Sequence, residues 1–138
     1  MPGSMFATQA HTRLNLGSTA DLNVLLSSTP GWLLGVQAFN LSTGVAAHLL
    51  LYDVGASSVG ASSISTASVP FWTGPVPSAV GPSTQAIGGG LVSNIVTPWP
   101  LNFGLGYAVS ASPISSALSS IAASLVRVNL QYSVSSGK

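Results

Sequence analysis

The sequence predicts an all-β fold, a jelly-roll-like antiparallel β-sandwich of about eight strands, with residues 114–124 as its one departure, a short helix or an irregular loop. Two observations predict it. Residues 126–134 alternate without a fault: Val126, Val128, Leu130, Tyr132 and Val134 fall on one side, Arg127, Asn129, Gln131 and Ser133 on the other. That period of two marks a strand with one buried face. Further short apolar runs recur along the chain between Gly-, Pro- and Ser-rich turn signals, at the spacing a sandwich requires.

Taken in order, residues 1–20 show no sustained period and are expected to form an N-terminal arm, ordered only by contact with something else. Residues 21–138 then make up the sandwich domain, and 138 residues suffice for one such core. Leu22, Val24 and Leu26 alternate with Asn23 and Leu25 before Ser-Ser-Thr-Pro-Gly, a strand and a turn. Gly31 to Ser42 is apolar on both faces, which suits a strand deep in a sheet with Trp32 in the core. Ser42-Thr43-Gly44 turns the chain into Ala46–Val54, the second arm of a hairpin.

Gly55 to Ser68 is a Ser/Ala/Gly connector. Val69-Pro70-Phe71-Trp72 opens a passage with Pro75, Pro77 and Pro82, and proline supplies no ladder donor, so this passage belongs on an edge or in loops. Thr84 to Ile87 suggests a short strand, broken by Gly88-Gly89-Gly90 as a loop or bulge before LVSNIV. Thr97 to Pro100 must be extended, and Leu101, Phe103, Leu105, Tyr107 and Val109 alternate after it. In PISSALSSIAASL, Ile114, Leu118, Ile121 and Leu125 recur at helical spacing, and Pro113 suits a first turn.

Charge bounds the function. The whole inventory is Arg13, Asp21, Asp53, Arg127 and Lys138, 4% of the chain against about 25% in ordinary soluble domains. A lone soluble domain is normally kept dispersed by mixed surface charge. Uncharged Ser, Thr and Asn are easier to desolvate than ions, so such an exterior is expected to be covered by copies of itself or by a larger assembly. A net charge of +1 gives no footprint for nucleic acid. Without cysteine there is no disulfide framework and no thiolate site.

The positive mean hydropathy raises the question of a membrane. The charge-free run from Trp32 to Tyr52 is interrupted by Gln37, Asn40, Ser42, Thr43, Gly44 and His48, so no spanning helix is expected. Nor does MPGSMFATQAHTRLN show a basic stretch followed by an apolar core, so no signal peptide is expected.

Chemistry finds little to work with. His48 and Asp53 point to opposite faces of a regular strand, and no Gly-x-Ser-x-Gly elbow accompanies the many serines. His11, His48, Asp21 and Asp53 have no metal-binding spacing, and the Gly88–Gly90 run lacks the lysine of a phosphate loop. No catalytic, metal or cofactor residues are therefore expected, and no enzyme. Interest shifts to contact residues: Trp72 and Trp99 beside prolines, Phe103 in the same loop as Trp99, and Arg13 in the arm.

Four passages in one order carry a resemblance. They are the Pro-Gly turn into GWLLGVQAFNLS, the strand ending LLLYDVGASSVG, the Leu-Asn-Phe segment leading to GLGYAVSAS, and the terminal VRVNLQYS with Asn129, Leu130 and Tyr132. From Asp21 to Ser133 the chain resembles a family of small structural proteins of tailed-phage virions. The resemblance implies a jelly-roll-like subunit on the capsid surface, a decoration or cement protein, often a trimer, with the major capsid protein as partner. It departs from the family in having more Ser and fewer acidic residues between Ala111 and Leu125. A carbohydrate-recognising fibre or receptor-binding module is the alternative, with Trp99 stacking on a sugar beside Asn102.

Overall fold

The structure, a computed structural model, describes residues 6–14, 24–54, 69–79, 89–113, 118–119, 121 and 125–135. These form eight strands: β1 Phe6–Leu14, β2 Val24–Ser27, β3 Gly31–Asn40, β4 Ala47–Tyr52, β5 Trp72–Val76, β6 Gly89–Leu101, β7 Leu105–Ser110 and β8 Val126–Ser135. One sheet, A, has the order β1-β8-β3-β6 and the other, B, the order β2-β7-β4-β5, with every pairing antiparallel. First pairs with last, second with seventh, third with sixth and fourth with fifth. That is the strand order of a jelly roll, a long four-pair ribbon wrapped so that alternate pairs fall in opposite sheets.

The wrapping explains the burial. Inward residues of both sheets, among them Leu33, Val36, Leu49, Leu51, Leu105, Tyr107, Val128 and Leu130, make one main core. The alternation of β8 is realised from Val126 to Tyr132, with Val126, Val128, Leu130 and Tyr132 buried, Arg127 and Gln131 exposed and Asn129 half-buried, and it lapses at Ser133, which is buried. In β7 every residue is buried, because a second apolar cluster of Leu50, Tyr52, Val54 and Ala108 lies on the outer side of sheet B. Leu118 and Leu25 pack against that outer cluster, so the connection after β7 lies over it at Leu118.

Several expectations need correcting. Residues 1–20 are not simply an arm outside the sandwich, because Phe6–Leu14 is β1, paired residue for residue with β8 from Phe6↔Ser135 to Leu14↔Arg127. Trp32 is half-buried and not a core residue: Leu33 takes the inward place, which leaves Trp32 on the outer face beside Ser133. Gly89 and Gly90 belong to strand β6 opposite Asn40 and Phe39, while the strand expected at Thr84–Ile87 lies outside the described residues. The alternation from Leu101 to Val109 is interrupted by a turn at Asn102–Gly104.

No helix occurs near 114–124 among the described residues. Residues 114–117, 120 and 122–124 of that expected element lie outside the described residues; of the others, Leu118 packs on the outer cluster and Ile121 and Leu125 on the main core. Serines take up the backbone instead. The Ser110 Oγ accepts from the N–H groups of Ser112 and Ser119, both at 3.0 Å, and the Ala111 N–H donates to Ser119 O at 2.9 Å. Such local hydroxyl bonds compete with helix formation.

Candidate functional site

The strand registers gather one end of the sandwich from five pieces of chain. Gly31 lies opposite both Leu101 and Val134, Leu51 opposite Trp72, Tyr52 opposite Gly106, and Ser27 opposite Leu105. The β2–β3 turn, the β6–β7 turn, Asp53–Val54 and Val69–Phe71 therefore share this end. It displays Val69, Trp99 and Phe103, with 82%, 48% and 65% of their surface exposed. Three exposed apolar side chains at one end is what a contact surface requires and a solvated one avoids.

Two devices hold that surface still. Asp53 sits just past β4, and its carboxylate accepts from three consecutive backbone N–H groups: Asn102 at 2.9 Å, Phe103 at 2.8 Å and Gly104 at 3.2 Å. Hydrogen bonds to a charged acceptor are the stronger kind, and three of them fix the turn that lifts Phe103 outward. The turn also needs glycine at its base. A Cβ on Gly104 would lie 2.2 Å from the carbonyl oxygen of Ser27 and 2.5 Å from that of Val54, so only hydrogen fits where three chain segments meet.

The second device is a stack. The rings of Phe71 and Trp99 lie 5.4 Å apart at an interplanar angle of 14°. Phe71 precedes β5, an edge strand of sheet B, and Trp99 belongs to β6, an edge strand of sheet A, so the pair closes the gap between the sheets at their margin. Parallel stacked rings contribute about 0.5–1.5 kcal/mol beyond the area they bury.

The contact residues expected from sequence fare differently. Trp99 and Phe103 stand together at this end, exposed. Trp72 is at the same end but packs half-buried against the main core, a structural role. Arg13 is elsewhere, opposite Val128 near the far end of β8. Sequence reasoning missed Val69, which read as the start of a proline-rich loop, and a second exposed trio at the opposite end: Phe39, Leu41 and Val45, at 37%, 57% and 43%. Phe39 was hidden because β3 reads as apolar on both faces, although only Leu33, Val36 and Ala38 face the core.

Beneath that second trio lies a polar clasp. Asn40 is fully buried; its Nδ2 donates to the carbonyls of Val45 at 2.8 Å and Val76 at 3.2 Å, and its Oδ1 accepts from the Ser42 N–H at 2.9 Å. The Ser42 Oγ in turn accepts from the N–H groups of Gly44 and Val45. His48 is the second residue of the strand that Asp53 follows and lies opposite Pro75 and Ser110, so the histidine and the carboxylate stand at different ends of β4. Among the described residues no group of three His, Cys, Asp or Glu converges as a metal site, and no helix is long and apolar enough to cross a membrane.

No protein-family model, curated protein or solved structure matches the chain.

Proposed function

We propose that the protein is a non-enzymatic structural subunit of a phage virion, a decoration or cement protein that self-associates and docks on the capsid shell through its apolar ends. The observation that carries this reading is the exposed Val69, Trp99 and Phe103 surface held rigid by Asp53, on a chain with five charged residues. Rigid aromatic groups make good contact centres because little freedom is lost when a partner covers them. The jelly roll is shared by capsid proteins, lectins and cupins, so it agrees with the reading without deciding it. The capsid as partner and the trimeric number rest on the family resemblance alone.

Stripped shells of the parent phage, mixed with purified protein and spun through a cushion, test the reading. Stoichiometric attachment is expected, with the Trp99→Ser/Phe103→Ser double variant binding about 30-fold more weakly, as for loss of contacts worth about 2 kcal/mol. Binding to a glycan array with no affinity for shells would replace this reading with the carbohydrate-recognition module.

A further inference from the structure

Among the described residues the sandwich has four edge strands, and three are blunted in ways that discourage pairing with another chain. β2 has four residues and a register shift between Leu25 and Ser27. β5 contains Pro75 and is followed by Pro77, and β6 contains Pro98 and Pro100 and loses register between Leu33 and Gly35 of its partner. Shortness, proline and irregularity are the usual protections of a sheet edge. β1 has none of them. It runs nine residues in unbroken register with β8, contains no proline, carries the single charge Arg13, and has no strand hydrogen-bonded to its other side among the described residues.

We propose that this edge pairs with β1 of a second copy of the chain, antiparallel about a two-fold axis at Ala10, a dimeric contact in place of the trimer that the family resemblance implies. The proposal deepens the self-associating reading above and depends on it. The sequence FATQAHTRL is complementary to its own reverse: the pairing sets Phe6 opposite Leu14, Ala7 opposite Arg13, Thr8 opposite Thr12, Gln9 opposite His11 and Ala10 opposite itself. Threonine facing threonine and apolar facing apolar are favourable cross-strand pairs, and no like charges meet. A second copy is the occupant because an isologous contact needs only one surface to be self-complementary, and this one is. The two sheets A would become one continuous sheet, held by backbone hydrogen bonds between the two copies of β1.

Because the chain has no cysteine, one engineered thiol reports the contact without interference. Ala10 is exposed and its substitution leaves the core intact. Directly opposed residues in antiparallel strands lie about 4.5–5.5 Å apart at Cα, within the span of a disulfide. Mild oxidation should convert Ala10→Cys to covalent dimer, while Thr43→Cys, exposed on the β3–β4 turn, stays monomeric. In sedimentation, Ala10→Lys and Ala10→Glu should each weaken association about tenfold, and mixing the two should restore it.

If Ala10→Cys crosslinks no better than Thr43→Cys, or the wild type associates and neither charged variant alters that, β1 is not the contact, although self-association stands. A wild type that is monomeric at every concentration sinks both. Attachment of such a monomer to shells would still leave the virion assignment intact.

Discussion

Replacing Asn40 by leucine separates two accounts of the sandwich. Leucine has nearly the same size and is more apolar, and the site is fully buried between Ala38 and the β3–β4 turn, so hydrophobic burial alone favours the variant. Hydrogen bonding says the opposite. The substitution strands the Val76 carbonyl and the Ser42 N–H in buried surroundings and the Val45 carbonyl in a partly buried one. A buried polar group left without its partner costs about 1–3 kcal/mol, and the partly buried carbonyl, which water reaches, nearer 1. The larger apolar side chain returns about 2 kcal/mol. The net expectation is a loss of about 3 kcal/mol, a sizeable part of the roughly 5–15 kcal/mol that holds a domain folded. Urea unfolding followed by tryptophan fluorescence reads it directly. With a slope of about 1.5 kcal/mol per molar, the midpoint should fall by about 2 M at unchanged slope. An unchanged or raised midpoint would refute the assignment of Asn40 as the clasp of this end.

The opposite end offers two more tests. Gly104→Ala should lower stability by about 1–3 kcal/mol in thermal unfolding, because the added methyl meets two backbone carbonyls that cannot move independently. Gly44→Ala, whose Cβ would have nothing within 4 Å, is the control and should stay within about 0.5 kcal/mol of wild type; equal losses would discredit the close approach at Gly104. Asp53→Ala should leave the sandwich folded, at a loss of about 1–2 kcal/mol, but free the Asn102–Gly104 turn. Chymotrypsin should then cut after Phe103 several times faster than in the wild type, and an unchanged cleavage rate would show that the turn is held by something else.

How much was legible depended on how many sides of each strand are covered. β8 could be read outright, because one face meets the core and the other does not, and Val126 to Val134 record the difference. β7 reads as two-faced from the alternation of Leu105, Tyr107 and Val109 with Gly106 and Ala108, but an outer cluster covers Ala108 too, so both faces are buried. β1 was invisible. The positions opposite Val134, Tyr132, Leu130 and Val128 are taken by Ala7, Gln9, His11 and Arg13, which carry no apolar period. His11 is accommodated there by a hydrogen bond of its Nε2 to the Tyr107 hydroxyl, 2.9 Å away and 96 residues distant in sequence. The segment carrying the spacing of Ile114, Leu118, Ile121 and Leu125 lies mostly outside the described residues; within them, Leu118 packs on the outer cluster and Ile121 and Leu125 on the main core.

Of the contact surface, the aromatic members could be suspected from their neighbours, since a tryptophan between prolines cannot be in the middle of a sheet. Val69 could not, and neither could the part played by Asp53. A lone carboxylate after an apolar strand has many uses, and its three N–H partners are 49 to 51 residues away.

By itself the sequence determined that the chain folds as strands, that it carries very little charge, and that Trp72 and Trp99 stand beside prolines. These are properties of local period and composition, and they need no knowledge of distant neighbours. Only the tertiary structure decided that the strands wrap as a jelly roll, that Phe6–Leu14 completes one sheet, and that Val69, Trp99 and Phe103 meet at one end. Strand order is set by which distant segments exchange backbone hydrogen bonds. The backbone is the same for every residue, so the choice appears in no local pattern and arises only when all the buried faces are satisfied together.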